Sequence, residues 1–368
     1  MTLRAMPRAE RQWARTSCAR SSSEKYVGGS RTTTAAATPS VATVAASHTP
    51  KASNSVDGCR DTRADRILNG VSVQFREEPC RNALNRVQGM PFKWSLNPYM
   101  GCAHRCTFCY VRGFERRADR PSGEAYGRSV RVKLNVAEVL RRELARKSWK
   151  REVVAVGAAT DPYQPAEGRY RLTRRCLQVF AEARSPFSLI TRGPMIVRDL
   201  DVLREAATRA EVDVTFSIPT LDPEIWRRTE PGTAPPRQRL RALRMLVDAG
   251  IDTAVGIAPV LPGISDRPEL LADVVKAARE AGATNVWCNV LYLQPGTREH
   301  FMEHLARDWP ELVPSYLALY RRPYPDRAMS EPVKSTVAAL KERFDIADRR
   351  ARPLEPSESK PEQLALAM

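Results

Sequence analysis

Between about residue 130 and residue 310, short apolar segments alternate with amphipathic segments in a regular order. The apolar segments are strand-like and show little alternation with polar residues, as in FSLIT and VDVTFSI. The segments between them repeat apolar residues at helical spacing, as in NVAEVLRRELARKSW and PELLADVVKAAREAG. Strands of this kind, joined by helices, indicate a parallel sheet that is covered by helices.

The number of these strand–helix units narrows the fold further. If the segment SLNPYMG forms the first strand, about six β/α units lie between residues 90 and 310. This number favours an α/β fold with a partial (β/α)6 TIM-like barrel over a doubly wound sheet. Gly250 and Gly282 each follow a predicted helix and are expected to end it.

Composition divides the rest of the chain. Residues 1–65 are rich in Ser, Thr, Ala and Arg and have no apolar periodicity, which predicts a disordered basic tail. Residues 66–322 are expected to form the core domain together with an N-terminal extension. Residues 323–368 are predicted to form a C-terminal helical extension that ends in a loose tail.

Apolar patterning and charge bear on location and partners. We find no run of about 18 apolar residues that would predict a transmembrane helix. The N-terminus lacks the apolar stretch of a secretory signal, so a cytoplasmic protein that binds no membrane is expected. The net charge of +17 favours attraction to nucleic acid. Because Arg and Lys are spread along most of the chain, an Arg-rich composition with solvated faces explains that charge equally well.

Three of the eight cysteines lie within one short segment, NPYMGCAHRCTFCYVR. Cys102, Cys106 and Cys109 have the spacing C-x3-C-x2-C, and aromatic residues flank the last of them. Such clustering indicates metal ligation in a reducing compartment and not a disulfide framework. Three thiolates can ligate three irons of a four-iron cube and leave the fourth iron open, so the segment predicts a 4Fe–4S cluster.

A closed zinc site is the alternative for these cysteines. Structural zinc takes four ligands, usually as two closely spaced pairs, and this chain has no second C-x2-C. His104 lies within the segment, but too close in sequence to Cys102 and Cys106 for the usual zinc pattern. The ligand count favours iron and sulfur. The alternative function is a basic nucleic-acid-binding protein in which zinc acts as a structural staple.

Residues 78–322 resemble the radical S-adenosylmethionine (SAM) superfamily, and within it the spore photoproduct lyase-related group, in an uncharacterised actinobacterial branch. The segments that carry the resemblance are CRNALNRV, NPYMGCAHRCTFCYVR, VGAATDPYQPAEGRY, LITRGPMIVRDLDVL, SIPTLDPEIWRRTEPGT, APVLPGISD and LYLQPGTR. The resemblance implies a partial TIM barrel, a 4Fe–4S cluster and a one-electron donor such as flavodoxin or ferredoxin. It also implies reductive cleavage of SAM to a 5′-deoxyadenosyl radical, which abstracts hydrogen from a substrate.

The resemblance further implies which residues contact SAM. The expected contacts are the backbone of Phe108 to adenine with Tyr110 nearby, Thr160 and Asp161 near the methionine amino group, Arg192 at the carboxylate, Ser217 near the ribose or carboxylate, and Ala258 near the adenine. The positions from 160 to 258 fall at the C-terminal ends of predicted strands, where barrel enzymes place their sites.

The sequence departs from true photoproduct lyases at Ala158, where those enzymes carry a cysteine that returns hydrogen to the product radical. Alanine cannot donate that hydrogen, so the substrate is open, with nucleic acid among the candidates. Cys176 and Cys288 are candidate hydrogen donors, although free cysteines are more often buried structural residues.

Two histidines outside the cysteine segment have a spacing that suits a metal. His300 and His304 lie four residues apart on a predicted helix, EHFMEHLARDW, and would need a third ligand from elsewhere. A pair of surface histidines is the commoner explanation. The basic segment RGFERRADR follows the cysteines and is expected near the mouth of the site, where it would contact phosphates.

Overall fold

The computed structural model describes residues 64–68 and 71–346. Residues 1–63, nearly all of the predicted disordered tail, lie outside that range, as do residues 347–368 of the predicted C-terminal extension. The proposed domain boundaries at residues 65 and 322 therefore stay predictions. Within the described part of the chain, no helix is both long enough and apolar enough to cross a membrane.

The described residues form strands and helices that alternate along most of the chain. The strands are β1 (Ala64–Leu68), β2 (Val71–Glu78), β3 (Leu84–Arg86), β4 (Trp94–Leu96), β5 (Tyr99–Met100), β6 (Ser129–Lys133), β7 (Val154–Val156), β8 (Phe187–Thr191), β9 (Val212–Ser217), β10 (Asp252–Val260) and β11 (Asn285–Val290). The helices are α1 (Val111–Arg117), α2 (Val136–Leu144), α3 (Pro165–Tyr170), α4 (Leu172–Glu182), α5 (Leu200–Ala207), α6 (Pro223–Thr229), α7 (Pro236–Asp248), α8 (Pro268–Glu280), α9 (Thr297–Asp308), α10 (Val313–Leu319) and α11 (Arg327–Arg343). Short 3₁₀ segments lie at Pro194–Asp199 and Pro310–Leu312.

The larger sheet has seven strands in the order β11-β10-β9-β8-β7-β4-β3. From β4 to β11 each neighbouring pair is parallel, and β3 adds to one edge as an antiparallel strand. The parallel strands follow one another in chain order and are joined by helices, as the repeating pattern predicts. Because β3 and β11 are edge strands, the sheet does not close, and the predicted partial (β/α)6 barrel is confirmed.

A smaller sheet with the order β1-β2-β6-β5 carries the start of the cysteine segment. Its last strand, β5, pairs antiparallel with β6 and leads directly into Gly101. Gly101 has a φ of +84°, and a Cβ there would lie 2.8 Å from the Ser129 carbonyl oxygen. A side chain is therefore excluded at the point where the chain turns from β5 into the cysteine loop.

The core lies between the large sheet and its helices. Strand residues that pack into this core with the helices are Val154, Val156, Phe187, Leu189, Val212, Val214, Phe216, Val255, Ile257, Val286 and Val290. Because side chains alternate across a strand, the intervening positions face the inside of the curved sheet. They are smaller or polar in most cases: Ala155, Ser188, Asp213, Thr215, Ser217, Ala254, Gly256, Ala258 and Trp287. This face leaves room for a site.

Candidate functional site

The predicted cluster cysteines lie in the loop between β5 and α1. Cys102 and Cys106 are buried, Cys109 is partly buried, and all three are free thiols. Backbone hydrogen bonds close tight turns at each cysteine: the Arg105 N–H donates to the Cys102 carbonyl at 3.3 Å, and the Cys109 N–H donates to the Cys106 carbonyl at 3.3 Å. These turns hold the three side chains on one compact loop.

The spacing of the thiols distinguishes between zinc and a larger cluster. Ligands of one tetrahedral zinc with Zn–S bonds of about 2.3 Å would lie about 3.8 Å apart. In the described part of the chain, the group of three or more candidate ligand atoms within 4.8 Å of one another comprises Glu124, His300 and His304 and includes no cysteine. The three cysteine sulfurs therefore do not all lie within 4.8 Å of one another, which is wider than the spacing of three ligands on one zinc ion.

The segment that contains the end of α6 and Gly232 packs closely against the backbone of the cysteine loop. The Gly232 N–H donates to the His104 carbonyl at 3.1 Å, and the Thr107 N–H donates to the Thr229 carbonyl at 2.9 Å. A Cβ at Gly232 would lie 2.6 Å from the Ala103 carbonyl oxygen. The segment after α6 therefore fits against the loop with no space for a side chain, although the sequence did not single it out as a contact.

Arg112, on α1, ties the loop to the following segment. Its guanidinium is buried and donates to the carbonyls of Ser122 at 2.8 Å and Gly123 at 2.7 Å. It also lies over the Tyr126 ring, 4.6 Å from the centroid. The Tyr126 hydroxyl lies 3.5 Å from the sulfur of Cys109. The sequence placed the segment RGFERRADR, which begins at Arg112, near the mouth of the site, but it did not predict a buried guanidinium paired with Tyr126.

Thr160, predicted to lie near the cofactor, contacts the cysteine loop. Its hydroxyl donates to the Gly101 carbonyl at 2.8 Å. Gln164 completes the contact, because its amide N–H donates to Gly101 and to the Thr160 hydroxyl while its carbonyl accepts from the Ala103 N–H, all between 2.8 and 3.0 Å. Sequence analysis did not assign Gln164, which lies in the quoted segment TDPYQP.

Asp161 is a buried carboxylate with three protein donors. It accepts from the Thr191 hydroxyl at 2.7 Å and from the backbone N–H groups of Tyr163 at 2.8 Å and Arg192 at 2.7 Å. His104 Nδ1 lies 3.3 Å from Asp161 Oδ2. Burial alone would raise the pKa of Asp161, but the charge of His104 and these hydrogen bonds lower it to about 2. An ionised carboxylate that faces His104 is therefore held beside the loop.

Arg192, Ser217 and Ala258, three of the predicted SAM contacts, come together at one carbonyl. The Ser217 hydroxyl donates to the Ala258 carbonyl at 2.9 Å, and Arg192 Nη2 donates to the same oxygen at 3.1 Å. The Arg192 guanidinium also lies 5.6 Å from the centroid of Phe108, a fourth predicted residue. The ends of three strands and the cysteine loop therefore meet at Arg192.

Glu230 and Arg239 form a buried ion pair beneath Arg192. Arg192 Nε donates to Glu230 at 2.7 Å, and Arg239 Nη1 lies 3.1 Å from the same carboxylate. The side chains of Glu230 and Arg239 have no exposed surface, and Arg239 also donates to the Ser217 carbonyl at 2.9 Å. Sequence analysis missed both, since nothing in their local patterns marks these charges as buried.

Tyr110 lies beside the cysteine loop, whereas the two candidate hydrogen donors, Cys176 and Cys288, lie elsewhere in the fold. The Tyr110 hydroxyl donates to the Ala158 carbonyl, so Ala158 contacts the loop through its backbone. Cys176 is fully buried in the helix-covered core. Cys288 packs against the same core, where burial raises the pKa of its thiol to about 11 although the charges of Lys334 and Lys341 on α11 oppose the shift. Both thiols therefore lie on the helix-covered side of the sheet.

The chain is similar in sequence to a known protein family and to two kinds of relative. The profile of the Radical SAM superfamily matches residues 96–274. An uncharacterised protein of Mycobacterium tuberculosis is 41% identical over 288 residues, which is 77% of this chain and 85% of the relative. A radical SAM Nα-GlyT isomerase of Pseudomonas phage M6 is 29% identical over 170 residues, which is 45% of this chain and 33% of that protein.

Among solved structures, the fold is similar to that of a spore photoproduct lyase mutant with bound AdoMet and dinucleoside spore photoproduct. The TM-score is 0.58 at 13% sequence identity, and the match covers 73% of this chain and 79% of the lyase. A spore photoproduct lyase complexed with dinucleoside spore photoproduct gives a TM-score of 0.57 at 13% sequence identity. The profile match and the mycobacterial relative confirm the sequence prediction, and the structural likeness agrees with it in fold: the chain belongs to the radical SAM superfamily.

Proposed function

We propose that this enzyme holds a 4Fe–4S cluster through Cys102, Cys106 and Cys109, cleaves SAM reductively and abstracts hydrogen from a nucleobase-containing substrate. The observation that carries the proposal is a compact loop of three free thiols that do not all lie within 4.8 Å of one another, at the C-terminal ends of parallel strands. A 4Fe–4S cluster held by these three thiolates would supply the electron that breaks a C–S bond of SAM, once a donor has reduced it.

The protein environment of the thiols suits such a cluster. Burial raises the pKa of the Cys106 and Cys109 thiols, so without a metal both thiols are neutral. Metal binding then displaces their protons, and the apolar residues around Cys106 keep water away from the site. The Tyr126 hydroxyl beside Cys109 supplies a polar contact to one ligand sulfur.

Arg192 is the best-placed residue for the cofactor carboxylate. Two guanidinium groups, those of Arg192 and Arg239, share the single carboxylate of Glu230. One positive charge is therefore left over, and Arg192 is the partner with an exposed portion, 21% of its side chain. An anionic group from a ligand would neutralise that charge and form charge-assisted hydrogen bonds with the guanidinium.

Exposed aromatic rings near the cysteine loop support a nucleobase substrate. Tyr110, Phe114 and Trp287 are each more than a third exposed, so part of each ring is available to a ligand. Trp287 lies over Gly256 on the inner face of the sheet, where a Cβ would come within 2.7 Å of the indole. Rings of this kind stack on nucleobases, and the net charge of +17 favours a phosphate-bearing substrate.

One structural neighbour binds a molecule of this class. The spore photoproduct lyase structure contains a dinucleoside photoproduct. Because Ala158 cannot return hydrogen to a product radical, we propose a nucleobase reaction other than photoproduct repair. The electron is proposed to come from a small donor such as flavodoxin or ferredoxin.

The test is metal analysis and SAM cleavage under anaerobic conditions. We expect about four irons and four sulfides per chain, and an electron paramagnetic resonance signal of the reduced protein that changes when SAM is added. Alanine at Cys102, Cys106 or Cys109 should abolish production of 5′-deoxyadenosine. Cys288→Ala is the matched control, because this partly buried thiol lies outside the loop and its loss should leave iron and cleavage unchanged.

Two outcomes would overturn the proposal. One is SAM cleavage at the wild-type rate by a variant with all three loop cysteines replaced by alanine. The other is a wild-type protein that takes up zinc at these cysteines and no iron during anaerobic reconstitution, which would support the nucleic-acid-binding alternative.

A further inference from the structure

A second group of candidate metal ligands lies outside the cysteine loop. Glu124 belongs to the segment between α1 and β6, whereas His300 and His304 belong to α9. Glu124 Oε1 lies 3.4 Å from His304 Nε2 and 3.8 Å from His300 Nδ1, and the three ligand atoms lie within 4.8 Å of one another. The two histidines alone would not complete a metal site, and Glu124, which is far away in the sequence but adjacent in space, supplies the third ligand.

Each of the two imidazole rings has one nitrogen atom that faces the Glu124 carboxylate and is not used in another hydrogen bond among the described residues. His304 Nδ1 lies 2.9 Å from the His300 carbonyl oxygen, so Nδ1 is the donor and Nε2 is the nitrogen that is left to bind a metal. His300 is 3% exposed, and its Nδ1 has no hydrogen-bond partner among the described residues. A buried imidazole nitrogen without a partner is costly unless it binds something.

The distances suit a tetrahedral zinc ion. Ligand atoms at about 2.0–2.1 Å from zinc lie about 3.3–3.4 Å apart, close to the spacing between Glu124 and the two histidines. Two histidines one helical turn apart and a carboxylate form a common zinc-binding set, with a further position open to water. The ligands also have oriented partners, since Arg105 Nη2 donates to the other oxygen of Glu124 at 2.9 Å.

We propose that Glu124, His300 and His304 bind one zinc ion at a site separate from the cysteine loop. The ion joins α9 to the segment that contains Tyr126. Arg105, from the cysteine loop itself, contacts Glu124, and the Tyr126 hydroxyl lies beside Cys109. Bound zinc therefore restrains Glu124, and through it the residues Arg105 and Tyr126 that pack beside the cysteine loop.

The experiment uses full-length protein with its iron–sulfur cluster in place and is carried out under anaerobic conditions. A chelator first removes loosely bound metal, and one equivalent of zinc is then added. A desalting column finally removes the zinc that the protein does not hold. We expect wild type to retain about one zinc per chain with its iron unchanged. Glu124→Gln and His304→Ala should bind zinc at least about tenfold more weakly, since even outer-sphere changes cost 10–100-fold. Glu303→Gln is the matched control, because it alters an exposed carboxylate on the same helix without touching the ligands.

X-ray absorption at the zinc edge tests the ligand set directly. The proposal expects nitrogen and oxygen neighbours at about 2.0–2.1 Å and no sulfur at about 2.3 Å. Three results would overturn it: no zinc retained by the iron-loaded wild type, equal zinc affinity in wild type and both ligand variants, or sulfur in the first coordination shell. Iron content and SAM cleavage are measured on the same samples, so failure of the zinc site is distinguishable from failure of the proposed radical chemistry.

Discussion

Replacing Glu230 by glutamine should destabilise the protein far more than an ordinary loss of an ion pair. The carboxylate is fully buried and contacts two guanidinium groups, 2.7 Å from Arg192 Nε and 3.1 Å from Arg239 Nη1. Glutamine keeps the size of the side chain and one acceptor oxygen, but it leaves the charge of Arg239 buried and unpaired. Removing one partner from a buried pair costs about 3–5 kcal/mol, and the retained acceptor places Glu230→Gln near the lower value.

Glu224→Gln is the matched control for this substitution. Glu224 lies on α6, a few residues before Glu230, and pairs with Arg227 in an exposed ion pair. Exposed pairs contribute about 0–1 kcal/mol because water screens their charges. The same chemical change should therefore have a small effect at position 224 and a large effect at position 230, so burial is the variable that the comparison isolates.

Equilibrium unfolding in urea, followed by tryptophan fluorescence on samples with equal iron content, measures the difference. A loss of about 3 kcal/mol in the free energy of unfolding lowers the urea midpoint by about 1–3 M for a slope of about 1–3 kcal/mol/M. If Glu230→Gln is no more destabilising than Glu224→Gln, the ion pair is not buried in solution. The assignment of the excess positive charge to Arg192 would then be wrong.

Two further substitutions test the loop contact and the aromatic surface. Gly232→Ala should destabilise the protein by about 1–3 kcal/mol and lower its iron content, because the new Cβ would lie 2.6 Å from a carbonyl oxygen of the cysteine loop. Gly123→Ala, where no atom lies within 4 Å of the added Cβ, is the control, and equal iron content in the two variants would contradict the reasoning. Trp287→Ala should weaken binding of a single-stranded oligonucleotide by about 1–3 kcal/mol while SAM cleavage without substrate continues, as fluorescence anisotropy and product analysis would measure. Unchanged affinity would remove Trp287 from the proposed substrate surface.

Local patterns in the sequence predicted the large sheet well, because each strand and helix is encoded by its own periodicity. The segment FSLIT forms β8 over Phe187–Thr191 as expected. The first strand is shorter than the segment SLNPYMG suggests, since β4 ends at Leu96 and the chain continues into β5 of the smaller sheet. Pro98, which has no N–H for a ladder hydrogen bond, lies between the two strands.

Long-range charge pairing could not be predicted from the same patterns. Glu230 and Arg239 lie in segments rich in arginine, where a solvated face is the usual explanation. Likewise, the spacing of His300 and His304 was visible, but their carboxylate partner Glu124 comes from a segment far away in the chain. Such residues come together only when the whole chain folds, and the local sequence around each residue does not show which distant segment it will contact.

The charges around Arg192 give the candidate cofactor site a defined polarity. The backbone N–H of Arg192 donates to Asp161 at 2.7 Å, while its guanidinium carries the positive charge that Glu230 shares with Arg239. The Asp161 carboxylate, which also faces His104 Nδ1 at 3.3 Å, therefore lies at the backbone of Arg192, and an incompletely neutralised guanidinium lies at the end of its side chain. A ligand with an ammonium and a carboxylate on adjacent atoms, as in the methionine part of SAM, matches this arrangement when its ammonium is directed toward Asp161 and its carboxylate toward Arg192. Reversal of the ligand would bring like charges together at both ends, so the same pair of charges would also determine which way the cofactor faces the cysteine loop.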